Sequence, residues 1–123
     1  MSNNKTKFDL EERTARFGEN VLWFCKSIQF NYVNEPLIKQ IIRSATSIGA
    51  NYMEANGSDS RRDFKNKISI CKKESKETTH WLRMLKIVLP EQKDRLTILW
   101  NEAQELVLIF SSTCICTLNV NIY

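Results

Sequence analysis

Apolar residues recur along this chain at steps of three and four, in four separate stretches. Phe17, Val21, Phe24 and Ile28 form the first stripe. Ile38, Ile41, Ala45, Ile48, Tyr52 and Ala55 form the second. The third runs through Phe64, Ile68, Cys71, Ser75, Thr78, Leu82, Leu85 and Leu89, and the fourth through Leu96, Leu99, Ala103, Leu106 and Phe110. A repeat near 3.6 residues places each set on one helix face. The spacing predicts helices over about 8–29, 35–56, 60–89 and 91–114.

The breaks between stripes carry terminal signals. Asn34 is expected to cap the second helix, with Pro36 in the first turn where its missing N–H does no harm. Asn56-Gly57 ends that helix, and glycine there is expected to take the left-handed conformation. Ser60 followed by Asp63 opens the third helix as a capping box with Asp in place of Glu. Pro90 closes it. Gly18 costs about 1 kcal/mol against Ala inside a helix, which suggests a close approach by a neighbour. Residues 1 to about 7 are polar and expected to be loose. The tail from Thr113 alternates polar and apolar residues, so 115–123 could extend the fourth helix, form a short strand or fray.

Four amphipathic helices with short links imply one domain over 1–123. The expected fold is all-α, an antiparallel up-down-up-down four-helix bundle. Three glycines and two prolines are too few for a turn-rich β-fold.

The third helix carries more than a core stripe. Ile70, Glu74, Glu77, Trp81 and Val88 lie about 100° round from it. This second stripe mixes an indole with two carboxylates and calls for a partly dry, partly polar surface. The glutamates need partners if they are desolvated. Asn51, Thr78, Arg61 or a base from another subunit are the candidates, and Asn51, Glu54, Glu74, Glu77 and Trp81 form the candidate polar network or subunit contact. A third stripe, Arg61, Lys65, Lys72, Lys76, Arg83 and Lys86, is read as lying opposite. It makes a ladder about 38 Å long that can neutralise phosphates without reading bases. No aromatic residue interleaves it, which argues against stacking on single-stranded bases.

Composition narrows the chemistry. A net charge of +4 permits a polyanionic partner without demanding one. Cys25, Cys71, Cys114 and Cys116 contain no C-x-x-C pair, which fits a reducing compartment and no disulfide framework. The first residues lack the apolar segment of a secretory signal, and the apolar run 106–110 is far too short to span a bilayer. A cytoplasmic protein without membrane contact is expected.

Catalysis finds little support. Glu77-Thr-Thr-His80 has the Glu-x-x-His form used by di-iron bundles, but His80 is the chain's one histidine, so a second such unit is missing within a subunit. By helical geometry His80 also points about 60° away from Glu77. No other histidine could activate Cys71 or a serine, and Gly18, Gly49 and Gly57 are isolated, so no phosphate loop exists. The turn before Arg61 and Arg62 could receive a phosphate at a helix N-terminus, against the plainer reading of a capped, solvated turn. No catalytic residue, metal site or cofactor is expected.

The stretch 44–89 resembles the small bacterial four-helix-bundle family named for 23S rRNA intervening sequences. The residues that carry the likeness are Ser47-Ile48, Asn51, Glu54, the Gly57 turn, Arg61, Phe64, Ile68-Ser69-Ile70-Cys71, Glu74, Glu77-Thr78 and Trp81-Leu82. Cys71 stands where the family pattern usually has alanine. The resemblance implies a ring-forming bundle, a homopentamer, and it carries over no catalytic residue. A related branch resembles retroelement accessory proteins that bind nucleic acid and a reverse transcriptase. The expected function is a non-enzymatic oligomeric adaptor that contacts RNA, DNA or a ribonucleoprotein through the basic face. The alternative is a protein-interaction scaffold that binds no nucleic acid.

Overall fold

The computed structural model describes the backbone of residues 2–122 and the side chains of residues 10–113. Four helices follow one another: α1 (Ser2–Lys26), α2 (Asn34–Asn56), α3 (Arg61–Val88) and α4 (Lys93–Ile122), with a single 3₁₀ turn at Pro90–Gln92 before α4. Each packs on its neighbour in sequence, and α1 also meets α4, which closes an antiparallel up-down-up-down bundle. The four stripes converge on one core that holds Phe17, Val21, Ile41, Ile48, Ile68, Leu82, Leu96 and Phe110, all at most 1% exposed. Tyr52 of α2 tilts against Phe110 of α4 at 5.8 Å between ring centroids, across the middle of that core.

Several element ends differ from expectation. α1 begins at Ser2, so the polar start is helical backbone. α4 continues to Ile122, so the alternating tail extends the helix. The Cys114 and Cys116 side chains lie outside those described, whereas the Cys25 and Cys71 thiols are buried.

The connector before α2 is held by two asparagines, and Asn34 is not its cap. Asn31 Oδ1 accepts from the N–H groups of Val33 and Asn34 at 2.9 and 2.8 Å, which satisfies donors that the helix start leaves free. Asn34 is buried and serves the connector: its Oδ1 accepts from Asn31 N–H at 3.0 Å, and its Nδ2 donates to Gln29 O at 3.3 Å. Ser60 does cap α3, accepting from Asp63 N–H at 3.1 Å. Gly57 ends α2 at φ −91°, so the left-handed freedom of glycine is not used there.

α1 and α2 approach closely at two glycines that face the opposite helix. A Cβ on Gly18 would lie 3.6 Å from Thr46 Cα, and one on Gly49 would lie 3.4 Å from the Thr14 carbonyl. Arg13 ties α1 to α4 with a two-pronged bond to Glu102, at 2.7 and 2.8 Å, and a third contact to Glu105 at 3.2 Å. Planar guanidinium on carboxylate fixes orientation as well as distance.

Candidate functional site

α3 places its polar residues by a simple rule. Cys71, Ser75, Thr78 and Leu82 are buried. Residues one position before them turn about 100° to one side, and residues one position after turn about 100° to the other. Ile70, Glu74, Glu77 and Trp81 therefore share one flank. Lys72, Lys76 and Arg83 share the other, with Lys65 and Lys86 following Phe64 and Leu85 in the same way. The basic row is thus a flank of the core and does not lie opposite it. Lys65, Lys72 and Lys86 are half-buried, and Arg61, Lys76 and Arg83 are exposed. Lys86 Nζ lies 5.7 Å from the centroid of Trp100, which places this flank beside α4.

The carboxylate flank meets α2. Glu74 is 5% exposed, a burial that an ionised carboxylate tolerates only with a partner. That partner is Arg43: its Nη1 donates to Glu74 Oε2 at 3.0 Å, and its Nη2 contacts Glu77 Oε2. Arg43 Nε donates to Gln40 at 3.3 Å, so the guanidinium is held from its own helix too. Beside this cluster the Ser44 and Thr78 hydroxyls share a hydrogen bond at 2.9 Å. Deeper in the same seam Cys71 Sγ donates to Ile48 O at 3.5 Å, and Ser75 Oγ donates to Cys71 O at 2.8 Å. Small residues bring the two helices together, and their few polar atoms are satisfied along the contact.

The five residues expected to form one network are not all brought together. Glu74 and Glu77 share Arg43. Glu54 instead pairs with Lys67 at 3.2 Å. Asn51 Nδ2 donates to Ser47 O and Oγ, one turn back on its own helix, both at 2.9 Å. Trp81 packs partly buried against the bundle's own core, with its indole N–H buried and without an acceptor. Within the subunit the second stripe is thus covered only in part: Glu74 is buried, while Ile70, Glu77, Trp81 and Val88 are half-buried.

Arg43 escaped the sequence reading, which sought partners among Asn51, Thr78, Arg61 and other subunits. Its signal was present. Arg43 precedes the core residue Ser44 on α2 as Glu74 precedes Ser75 on α3, so two antiparallel helices turn these positions toward each other.

The arrangement pairs charge across the α2–α3 contact, with Arg43 held by Glu74 and Glu77. His80 is exposed and meets Trp81 edge-on at 4.9 Å. Among the described residues no group of three His, Cys, Asp or Glu side chains could hold a metal ion. No helix among them is long and apolar enough to cross a membrane.

The cations of the bundle divide into those with a carboxylate partner and those without. Arg13, Arg16, Lys39, Arg43 and Lys67 each pair with a carboxylate. Among the described residues Lys65, Lys72, Lys76 and Arg83 have no carboxylate within ion-pair distance.

Comparison with known proteins agrees with this architecture. No curated protein matches the chain. A crystal structure of a protein of unknown function from the S23 ribosomal protein family of Bacteroides thetaiotaomicron VPI-5482 is similar to it. The two are 32% identical with a TM-score of 0.76, over 85% of this chain and 96% of that one. The family model described as 23S rRNA-intervening sequence protein matches residues 7–112. With four helices in the same arrangement and a match over most of its length, the chain belongs to the 23S rRNA-intervening sequence protein family.

Proposed function

We propose that this protein is a non-enzymatic, self-associating adaptor that contacts nucleic acid or a ribonucleoprotein through the basic flank of α3. One observation carries the reading: Lys65, Lys72, Lys76 and Arg83 form a row along one flank of α3, and none of the four has a carboxylate partner among the described residues. Uncompensated lysines on a rigid helix suit phosphates spaced along a backbone, and they bind by releasing counterions without reading sequence. Self-association as a homopentamer is what the family resemblance implies. Exposed Leu22, Met53, Ile87 and Leu108 supply apolar surface for such contacts.

A second reading is a scaffold whose partner is a protein. It draws on the open apolar groove of about 350 Å³ between α1 and α2, where Ala15, Gly18, Gly49 and Ala50 lie between Leu22 and Met53. Retention of labelled RNA and DNA on a filter at low and moderate salt separates the two readings. Salt-sensitive retention is expected of the adaptor. No retention at low salt, with the native particle intact by mass, leaves the scaffold.

A further inference from the structure

A second site lies away from the α3 row, where the end of α1 meets the start of α4. Trp23 is 67% exposed on α1 and Ile98 is 69% exposed on α4. They border a cleft of about 210 Å³ whose lining also includes Phe24 and Leu99, with Asn20 and Arg95 as its polar members. What sets Trp23 and Ile98 apart from the other open apolar side chains is that they border one cleft and form one patch. The cleft is smaller than the 300–1,000 Å³ typical of drug-sized pockets, which suits one planar ring system.

Its charge is positive and uncompensated. Lys26 Nζ stands 5.0 Å from the centroid of Trp23. Arg95 lies 4.8 Å from the ring of Phe24 and is held by neutral groups, Ser27 Oγ at 2.9 Å and Gln92 Oε1 at 3.1 Å. Neither base has a carboxylate within ion-pair distance among the described residues. The connector that follows α1 carries two further open rings, Phe30 at 53% and Tyr32 at 94% exposure, outside the cleft lining. Along the α3 flank the ring beside a cation is the half-buried Trp100 at Lys86, whereas here Trp23 is open, stands beside Lys26 and shares the cleft with Arg95.

We propose that this cleft binds single-stranded nucleic acid, with one base stacked on Trp23 and neighbouring phosphates on Lys26 and Arg95. A base is planar and apolar on its faces, so it covers Trp23 and Ile98 together. Its polar edge reaches the Asn20 amide. The charged backbone meets the two cations, and the fixed Arg95 fork presents its remaining N–H groups to a phosphate oxygen. A duplex cannot use the cleft, because its bases are stacked and paired. The site is separate from the α3 row and stands or falls apart from it.

The test is binding of a labelled twelve-nucleotide single strand, the matching duplex and adenosine monophosphate to the native particle. Trp23→Ala is expected to weaken single-strand binding roughly ten- to a hundredfold, and Trp23→Phe to restore most of it. Duplex binding is expected to stay unchanged. Trp23 is exposed, so a thermal melt of the variant should match the parent.

Unchanged single-strand affinity in Trp23→Ala overturns the site while leaving the α3 reading intact. An equal loss for duplex overturns it, because stacking then plays no part. So does breakdown of the native particle in Trp23→Ala, which would assign the ring to a subunit contact. Adenosine monophosphate binding as tightly as the strand also overturns it, in favour of a free nucleotide. Single-strand binding that survives loss of the α3 cations but not of Trp23 supports this site and removes the α3 face from the function.

Discussion

Arg43 is the side chain on which the α2–α3 contact depends most. It answers a buried carboxylate at Glu74 and a half-exposed one at Glu77. Removing it leaves Glu74 nearly dry and without its ion-pair partner. Breaking a buried pair costs about 3–5 kcal/mol, and because Arg43 is half-exposed the expected loss for Arg43→Met is smaller, about 1–3 kcal/mol. Arg43→Met combined with Glu74→Met should be less destabilised than Arg43→Met alone, since no orphan charge remains. Urea unfolding of the single and double variants checks this, and a double variant weaker than the single one would contradict it. Cys25 gives a pH-dependent case. Burial pushes its thiol from 9.0 up to about 11. The unfolded thiol ionises first, so this contribution is complete below pH 9 and is lost as pH rises through about 11. The urea midpoint should fall between pH 8.5 and pH 10.5, and Cys25→Ala should flatten that fall. The native thiol should resist thiol reagents at pH 8.

At the scale of elements, α1 and α2 are set by how near their backbones can come. A methyl on Gly49 meets the Thr14 carbonyl at ordinary contact distance, and a longer side chain adds bulk at that close approach. Gly49→Ala is therefore expected within about 1 kcal/mol of the parent, since better helix propensity offsets slight crowding. Gly49→Leu should cost about 1–3 kcal/mol by forcing α1 away from α2. Thermal melts of the two variants test the order.

The helices themselves were legible because their apolar period is sustained, and Pro90 and Ser60 mark their ends. The connector was less so. Asn31 and Asn34 have the same capping chemistry, and only the backbone path decides which side chain faces the free N–H groups. Gly57 shows the same limit: glycine permits a left-handed turn but does not require one. Among the candidate residues, the two flanks of α3 could be read from its own wheel. The partner of its glutamates could not, because that needs the wheel of α2 in register beside it. Asn51 and Glu54 were grouped with Glu74, yet Asn51 bonds back to Ser47 on its own helix and Glu54 pairs with Lys67 across on α3.

At the scale of the molecule, the bundle presents two kinds of unpaired cation. Those on α3 form a long lysine-rich row beside α4, suited to a phosphate backbone. Those near Trp23 stand among open aromatic faces. Glu74 and Glu77 on α3 are already engaged by Arg43, so the proposed electrostatic recognition rests on these unpaired cations. The row on α3 bears the proposed adaptor role most directly. Its test is the salt dependence of RNA affinity for the native particle and for a variant with Lys65, Lys72, Lys76 and Arg83 changed to Gln. The expected result is an affinity that falls steeply with salt, with a slope of about −0.7 to −0.9 for each phosphate neutralised, and a clearly shallower slope in the variant. Equal slopes for the two proteins, or no RNA binding by the parent at low salt, would contradict the account.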